Sequence, residues 1–121
     1  MGPDGRPLIF WRIAQLDEKG VIAELEAGTN IEIKGFAKTT PLLHAASIDA
    51  WKIVLALLQR GANPNAVDKR GFSLPWLAFS SRIDPNSSDG KALQSLKRQL
   101  REKGMLSNVK EPTAVRRDLD R

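Results

Sequence analysis

The sequence predicts an all-α protein assembled from about three helix-turn-helix units, and three observations carry that prediction. The chain repeats itself: Gly28 and Gly61, Asn30 and Asn63, Ile31 and Pro64, and Thr40 and Ser73 each stand 33 residues apart. A fixed period of that length marks an architecture of stacked repeats. Ile53, Val54, Leu57 and Leu58 recur at helical spacing and form an apolar stripe. Between such stretches lie runs of turn formers, as in "GANPNAVDKRG" at 61–71.

The first unit, 5–37, opens with a short helix around Ile9 to Leu16, and its second helix carries Val21 and Leu25 and stops at Gly28. The second unit, 38–70, is the most regular. Thr40 can accept hydrogen bonds from the first free N–H groups of a helix, and Pro41 occupies the first turn, where a missing N–H costs nothing. Leu42, Ala45 and Ala46 follow, small enough on one side to let a neighbour approach closely. Asp49-Ala50 falls at a turn, the apolar stripe makes the second helix, and Gly61 ends it as a C-terminal glycine does. The third unit, 71–105, begins with "FSLPWLAFSS". Its second helix is delayed by an insertion, "RIDPNSSDG" at 82–90, until Lys91, and then carries Leu93, Leu96 and Leu100 up to Gly104. A loop that departs from a compact plan is either functional or a surface excursion. Trp11, Trp51 and Trp76 are expected to pack in the core, Trp51 least securely because it borders a turn. The tail, 106–121, mixes charges around a proline and is expected to be flexible.

The stretch "TPLLHAASIDAWKIVLALLQRGANPNAVDKRG" resembles the ankyrin repeat, whose pattern runs T-P-L-H-x-A-A and then I-V-x-x-L-L-x-x-G-A-x-x-N-A-x-D-x-x-G. Nearly every diagnostic position between Thr40 and Gly71 is filled, and with its weaker flanks the resemblance covers residues 7–105. It implies an ankyrin-repeat solenoid of about three repeats with irregular end units. End units have one face without a neighbour and must turn it to water, as Glu18, Lys19, Glu24 and Glu26 do at the front and Lys97, Arg98, Arg101, Glu102 and Lys103 at the back. The chain departs from the pattern at several positions. Leu43 stands in the place of the histidine, with His44 one residue late, and Trp76 holds that slot in the third unit. Asp49 replaces the glycine between helices, and Lys38 replaces the loop glycine that Gly71 keeps. These departures bear on the rigidity of the first hairpin, not on the fold.

Composition narrows the function. The 121 residues are 41% hydrophobic and 27% charged, ordinary for one globular domain. There is one histidine and no cysteine or tyrosine, so a catalytic set of nucleophile, acid and base is not to be found, and no cofactor is expected. No His/Cys/Asp/Glu group has metal-ligand spacing. Asp84 and Asp89 flank "PNSS" without the alternating oxygen donors of a calcium loop. No phosphate-binding glycine loop is present, and no apolar run is long enough to span a bilayer. "MGPDGRPLIFW" is too short in its apolar part for a secretory leader and has Arg6 where a myristoylation signal wants Ser or Thr. A cytoplasmic, monomeric protein is the default, a removed leader aside.

The resemblance implies a non-enzymatic module that binds a partner protein through its loop tips and the exposed side of each first helix. By position these are Phe36 and Thr39 on the first tip and Lys69, Arg70 and Phe72 on the second. The helices offer His44, Ser47 and Ile48, then Ser81 and Arg82. Small free-standing proteins of this build include immunity proteins that mask a cognate toxin or effector, and that is the sharper expectation. The alternative follows from the net charge of +5. Residues 1–90 hold ten basic and ten acidic side chains, whereas 91–121 hold nine and four. Lys97, Arg98, Arg101 and Lys103 in the last helix could therefore contact nucleic acid or anionic lipid. The plainer reading turns Leu93, Leu96 and Leu100 to the core and these charges to solvent.

Overall fold

The computed structural model describes residues 6–107 and 109–119, which form seven α-helices and no strand. In order these are α1 (Leu8–Ala14), α2 (Glu18–Glu26), α3 (Pro41–Ser47), α4 (Trp51–Gln59), α5 (Leu74–Ser80), α6 (Ser88–Glu102) and α7 (Pro112–Leu119), with a 3-10 turn at Phe36–Lys38. The expected start of the first unit at residue 5 and the end of the tail at 120–121 lie outside the described residues.

The 33-residue period is a period of hydrogen bonds. Helices α1, α3 and α5 each run seven residues and begin 33 residues apart. Thr40 Oγ1 accepts from the Leu43 N–H at 3.2 Å, and Ser73 Oγ accepts from the Trp76 N–H at 3.4 Å. Helices α2, α4 and α6 all end on a glycine with positive φ, at Gly28 (105°), Gly61 (95°) and Gly104 (72°). One residue beyond each glycine, an N–H reaches back five residues: Thr29 to Glu24, Ala62 to Leu57 and Met105 to Leu100, at 3.1, 3.0 and 2.9 Å. That bond satisfies a carbonyl the helix leaves open, and glycine adopts the required backbone without a Cβ clash. The turns within the first two pairs obey the same rule without glycine. Leu16 and Asp49, again 33 apart, take φ of 57° and 60°. Asp17 and Ala50 donate back to Arg12 and Ala45, both at 2.9 Å. Helix α1 is as long as its counterparts, starting one residue before the expected Ile9 and ending two before the expected Leu16.

The pairs pack in two layers. Helices α1, α3 and α5 touch in sequence on one side, and α2, α4 and α6 on the other. One continuous core joins them, including Ile9, Phe10, Ile13, Leu42, Val54, Leu57, Leu74, Leu93 and Leu96. Buried Ala45, Ala46 and Ala78 keep the first layer tight. Trp51 is fully buried, while Trp11 and Trp76 are only half-buried. The tryptophan expected to be least secure is thus the most central. Its indole N–H donates to Asp49 Oδ1 at 2.9 Å, and Ser81 Oγ donates to the same oxygen at 2.6 Å.

The insertion is distributed differently from the expected 82–90. Seven residues join α5 to α6 where three join α3 to α4, and α6 runs fifteen residues against nine in α4. Most of the extra length is helix. Its early start has a structural consequence: Asp89, in the first turn of α6, accepts the Lys52 N–H at 2.9 Å. Ala50 has no side chain able to cap α4, so the cap comes from the next unit.

Met105, at the end of the third unit, and Leu106 pack against the core, and α7 follows at Pro112–Leu119. A helix of eight residues has little stability alone, and α7 meets the second tip through Pro112 at Gly71 and through Leu119 near Val67 and Lys69. The start of α7 lies directly on Gly71, where a Cβ would run into the Pro112 carbonyl. Leu93, Leu96 and Leu100 are buried, which leaves α6 no apolar face for a lipid surface. Among the described residues no helix is long and apolar enough to cross a membrane.

Candidate functional site

Two hairpin loops, between α2 and α3 and between α4 and α5, stand side by side at one edge of the first layer. In the first tip Ala37 and Lys38 both adopt positive φ, 53° and 58°. Lys38 occupies the position equivalent to Gly71 and takes the left-handed backbone regardless, at a cost on the order of 1 kcal/mol. Neighbouring bonds hold it there. The Gly35 N–H donates to the Thr39 carbonyl and the Lys69 N–H to the Ala37 carbonyl, both at 2.8 Å, so the second tip braces the first.

Asp68 organises the second tip. Its side chain is wholly buried and accepts from the N–H groups of Arg70 and Phe72 at 2.9 and 3.0 Å. Arg70 closes over it, with Nε and Nη2 at 3.2 and 2.8 Å from Oδ2. The same guanidinium lies 4.9 Å from the centre of the Phe72 ring. Sequence reasoning did not single out Asp68; the available signal was the aspartate three residues before the loop glycine.

The tips overhang the first helices and enclose a cleft of about 310 Å³. Phe36, Thr39, His44, Ser47 and Arg70 line it, five of the ten residues expected on the binding surface. Arg6 and Phe10 complete it from α1 and the residues before it, and nothing in their local pattern announced this. Phe36 projects from the rim, 77% exposed, whereas Thr39 is buried. Arg6 stacks on Trp11, 4.8 Å from the ring centre. The other five expected residues lie elsewhere. Ile48 is exposed at the end of α3, and Arg82 is exposed on the α5–α6 link. Lys69 faces the outer side of the tips with Lys38, Val67 and Leu119 of α7. Phe72 sits half-buried beneath Arg70, and Ser81 is committed to Asp49.

His44 forms one wall, edge-on to Phe10 with ring centres 5.6 Å apart. Its Nε2 is buried and has no hydrogen-bond partner among the described residues. Burial, with Arg6 and Arg70 adding repulsion, holds its pKa below the ordinary 6.5. A base depressed on folding stabilises fully above its unfolded pKa, and that contribution is lost as pH falls below 6.5 towards the folded value. His44→Gln is therefore expected to flatten the decline in stability below pH 6.5, measured by urea unfolding at steps down to pH 5. An unchanged decline would place the sensitive group elsewhere. Among the described residues, Arg6 and Arg70, with Asp68 behind the latter, are the charges facing His44.

Residues 38–69 match the family model of the ankyrin repeat. The matched segment runs from the tip of the first hairpin through α3 and α4 into the second tip. A comparison with curated proteins gave no match. The repeat match points to a protein-interaction module, the role generally associated with that family.

Proposed function

We propose that the chain is a three-repeat ankyrin solenoid with irregular end units, acting as a monomer that binds a partner protein through its hairpin tips and the cleft behind them. The finer reading is that it masks this partner, as an immunity protein masks a cognate toxin or effector. The observation that carries the proposal is Phe36. A large aromatic ring, 77% exposed on a braced tip, stands beside a preformed cleft with an arginine at its edge. Aromatic and Arg side chains of this kind dominate interface energy once desolvated. The repeated caps of α2, α4 and α6 support the solenoid, and the match at 38–69 supports the class of function.

The test is affinity capture by the whole chain from its native source, followed by titration of the isolated partner. Phe36→Ala should leave the fold intact, since the side chain is exposed, and weaken the complex roughly thirtyfold, as loss of a hot-spot aromatic does. Binding that ignored this change would remove the tips from the interface. Raising salt should cost less than about tenfold. A steep salt dependence would point instead to nucleic acid or anionic lipid on Lys97, Arg98, Arg101 and Lys103. Loss of the partner's own activity at one-to-one stoichiometry would support masking, and an active complex would refute it.

A further inference from the structure

The cleft has a chemistry of its own, and it identifies what the partner must present. We infer that it is a carboxylate-binding site: an acidic side chain of the partner protein enters between Arg70 and His44, while an apolar neighbour in the partner's sequence packs on Phe36. This rests on the protein-binding reading and narrows it to an acidic, partly apolar segment.

Four observations lead there. Arg6 and Arg70 both line the cleft, and no carboxylate lines it among the described residues. Each guanidinium lies over an aromatic ring, Trp11 or Phe72, which fixes its plane before any ligand arrives and lowers the entropy lost on binding. Arg70 uses Nε and Nη2 on Asp68, so Nη1 remains to donate to an incoming oxygen. His44 Nε2 is a buried polar atom in the wall with its hydrogen bond unmet, and such an atom is costly unless something satisfies it.

The choice of carboxylate over phosphate follows from Asp68. Its buried carboxylate sits one guanidinium away from the entering group and already takes two of that guanidinium's nitrogens, so the cleft keeps little net positive charge and few donors for the several oxygens of a phosphate dianion. His44, held neutral, supplies hydrogen bonding and no compensating positive charge.

The experiment is an amide-resolved NMR titration of the full chain with three probes at millimolar concentration. These are the capped tripeptide acetyl-Leu-Glu-Leu-amide, its Leu-Gln-Leu counterpart, and inorganic phosphate. The Glu peptide should shift the Gly35, Phe36 and Ser47 amides and the Arg70 Nε–H saturably, with the Gln peptide and phosphate each at least about tenfold weaker. Arg70→Gln and, separately, Arg6→Gln should each weaken the Glu peptide by a similar factor. The second variant leaves Asp68 paired, so loss of folding in the first does not end the test. No shift with the Glu peptide, equal shifts with the Gln peptide, or tighter saturation by phosphate would each overturn the inference. A captured partner lost on Phe36→Ala yet indifferent to both arginine variants would also overturn it, and would leave the protein-binding reading standing.

Discussion

Trp51→Ala is expected to lower the stability of the fold by about 3–5 kcal/mol, the cost of deleting a fully buried large aromatic from a packed core. Domains of this size are stable by only about 5–15 kcal/mol, so the variant should be close to unfolding at 37 °C. Trp51 is 0% exposed at the start of α4, the helix that touches α2, α3 and α6. It also spends its indole N–H on Asp49. Truncation therefore leaves a cavity where the layers meet and removes one of two donors from a partly buried carboxylate. Urea unfolding followed by far-UV circular dichroism measures the loss. Trp11→Ala and Trp76→Ala, at half-buried positions, are the controls and should fall short of it. A midpoint for Trp51→Ala within error of these controls would show that the joint between layers is not where the stability resides.

Trp51 also shows where sequence reasoning reaches its limit. Each helix pair could be read within its own 33 residues, because the information is local: Thr40 caps α3, Gly61 ends α4, and Ile53, Val54 and Leu57 share a buried face. Burial of Trp51 is not local. It depends on Asp49 adopting a left-handed backbone and on Ser81, 32 residues further on, donating to that aspartate. The cap of α4 by Asp89 spans 37 residues. The insertion looked like a loop because its polar residues carry turn signals, yet most of the added length prolongs α6. The candidate site divides in the same way. Phe36 and Arg70 were legible as loop tips of a recognisable repeat, and His44 as the residue displaced from that pattern. Arg6 and Phe10 reach the cleft only through the packing of α1 on α3. The pairing of Asp68 with Arg70 depends on a side chain hidden beneath the tip.

The tail gives the second large effect, because the start of α7 lies against Gly71. Gly71→Ala should both strain the second tip and dislodge α7. Gly71 has φ of 86°, so any side chain costs on the order of 1 kcal/mol there. Gly61 has φ of 95° with nothing within 4 Å of where a Cβ would stand, so Gly61→Ala incurs the backbone cost alone. At Gly71 the added methyl would also overlap the Pro112 carbonyl, and the start of α7 has to move. Both variants should lose comparable stability from the backbone, and only Gly71→Ala should release the tail. Arg116 and Arg117 make that release measurable: trypsin cleavage in α7 should quicken on the order of tenfold in Gly71→Ala, as a segment with few buried contacts opens, and stay at the parent rate in Gly61→Ala. Equal rates in the two variants would mean that Gly71 does not hold α7. Because Leu119 lies beside Lys38, Val67 and Lys69, release would also uncover the outer side of the tips. The two faces can then be separated experimentally. A partner that uses only the cleft behind Phe36 should bind Gly71→Ala and the parent alike, whereas one that reaches Lys69 should bind the variant more tightly.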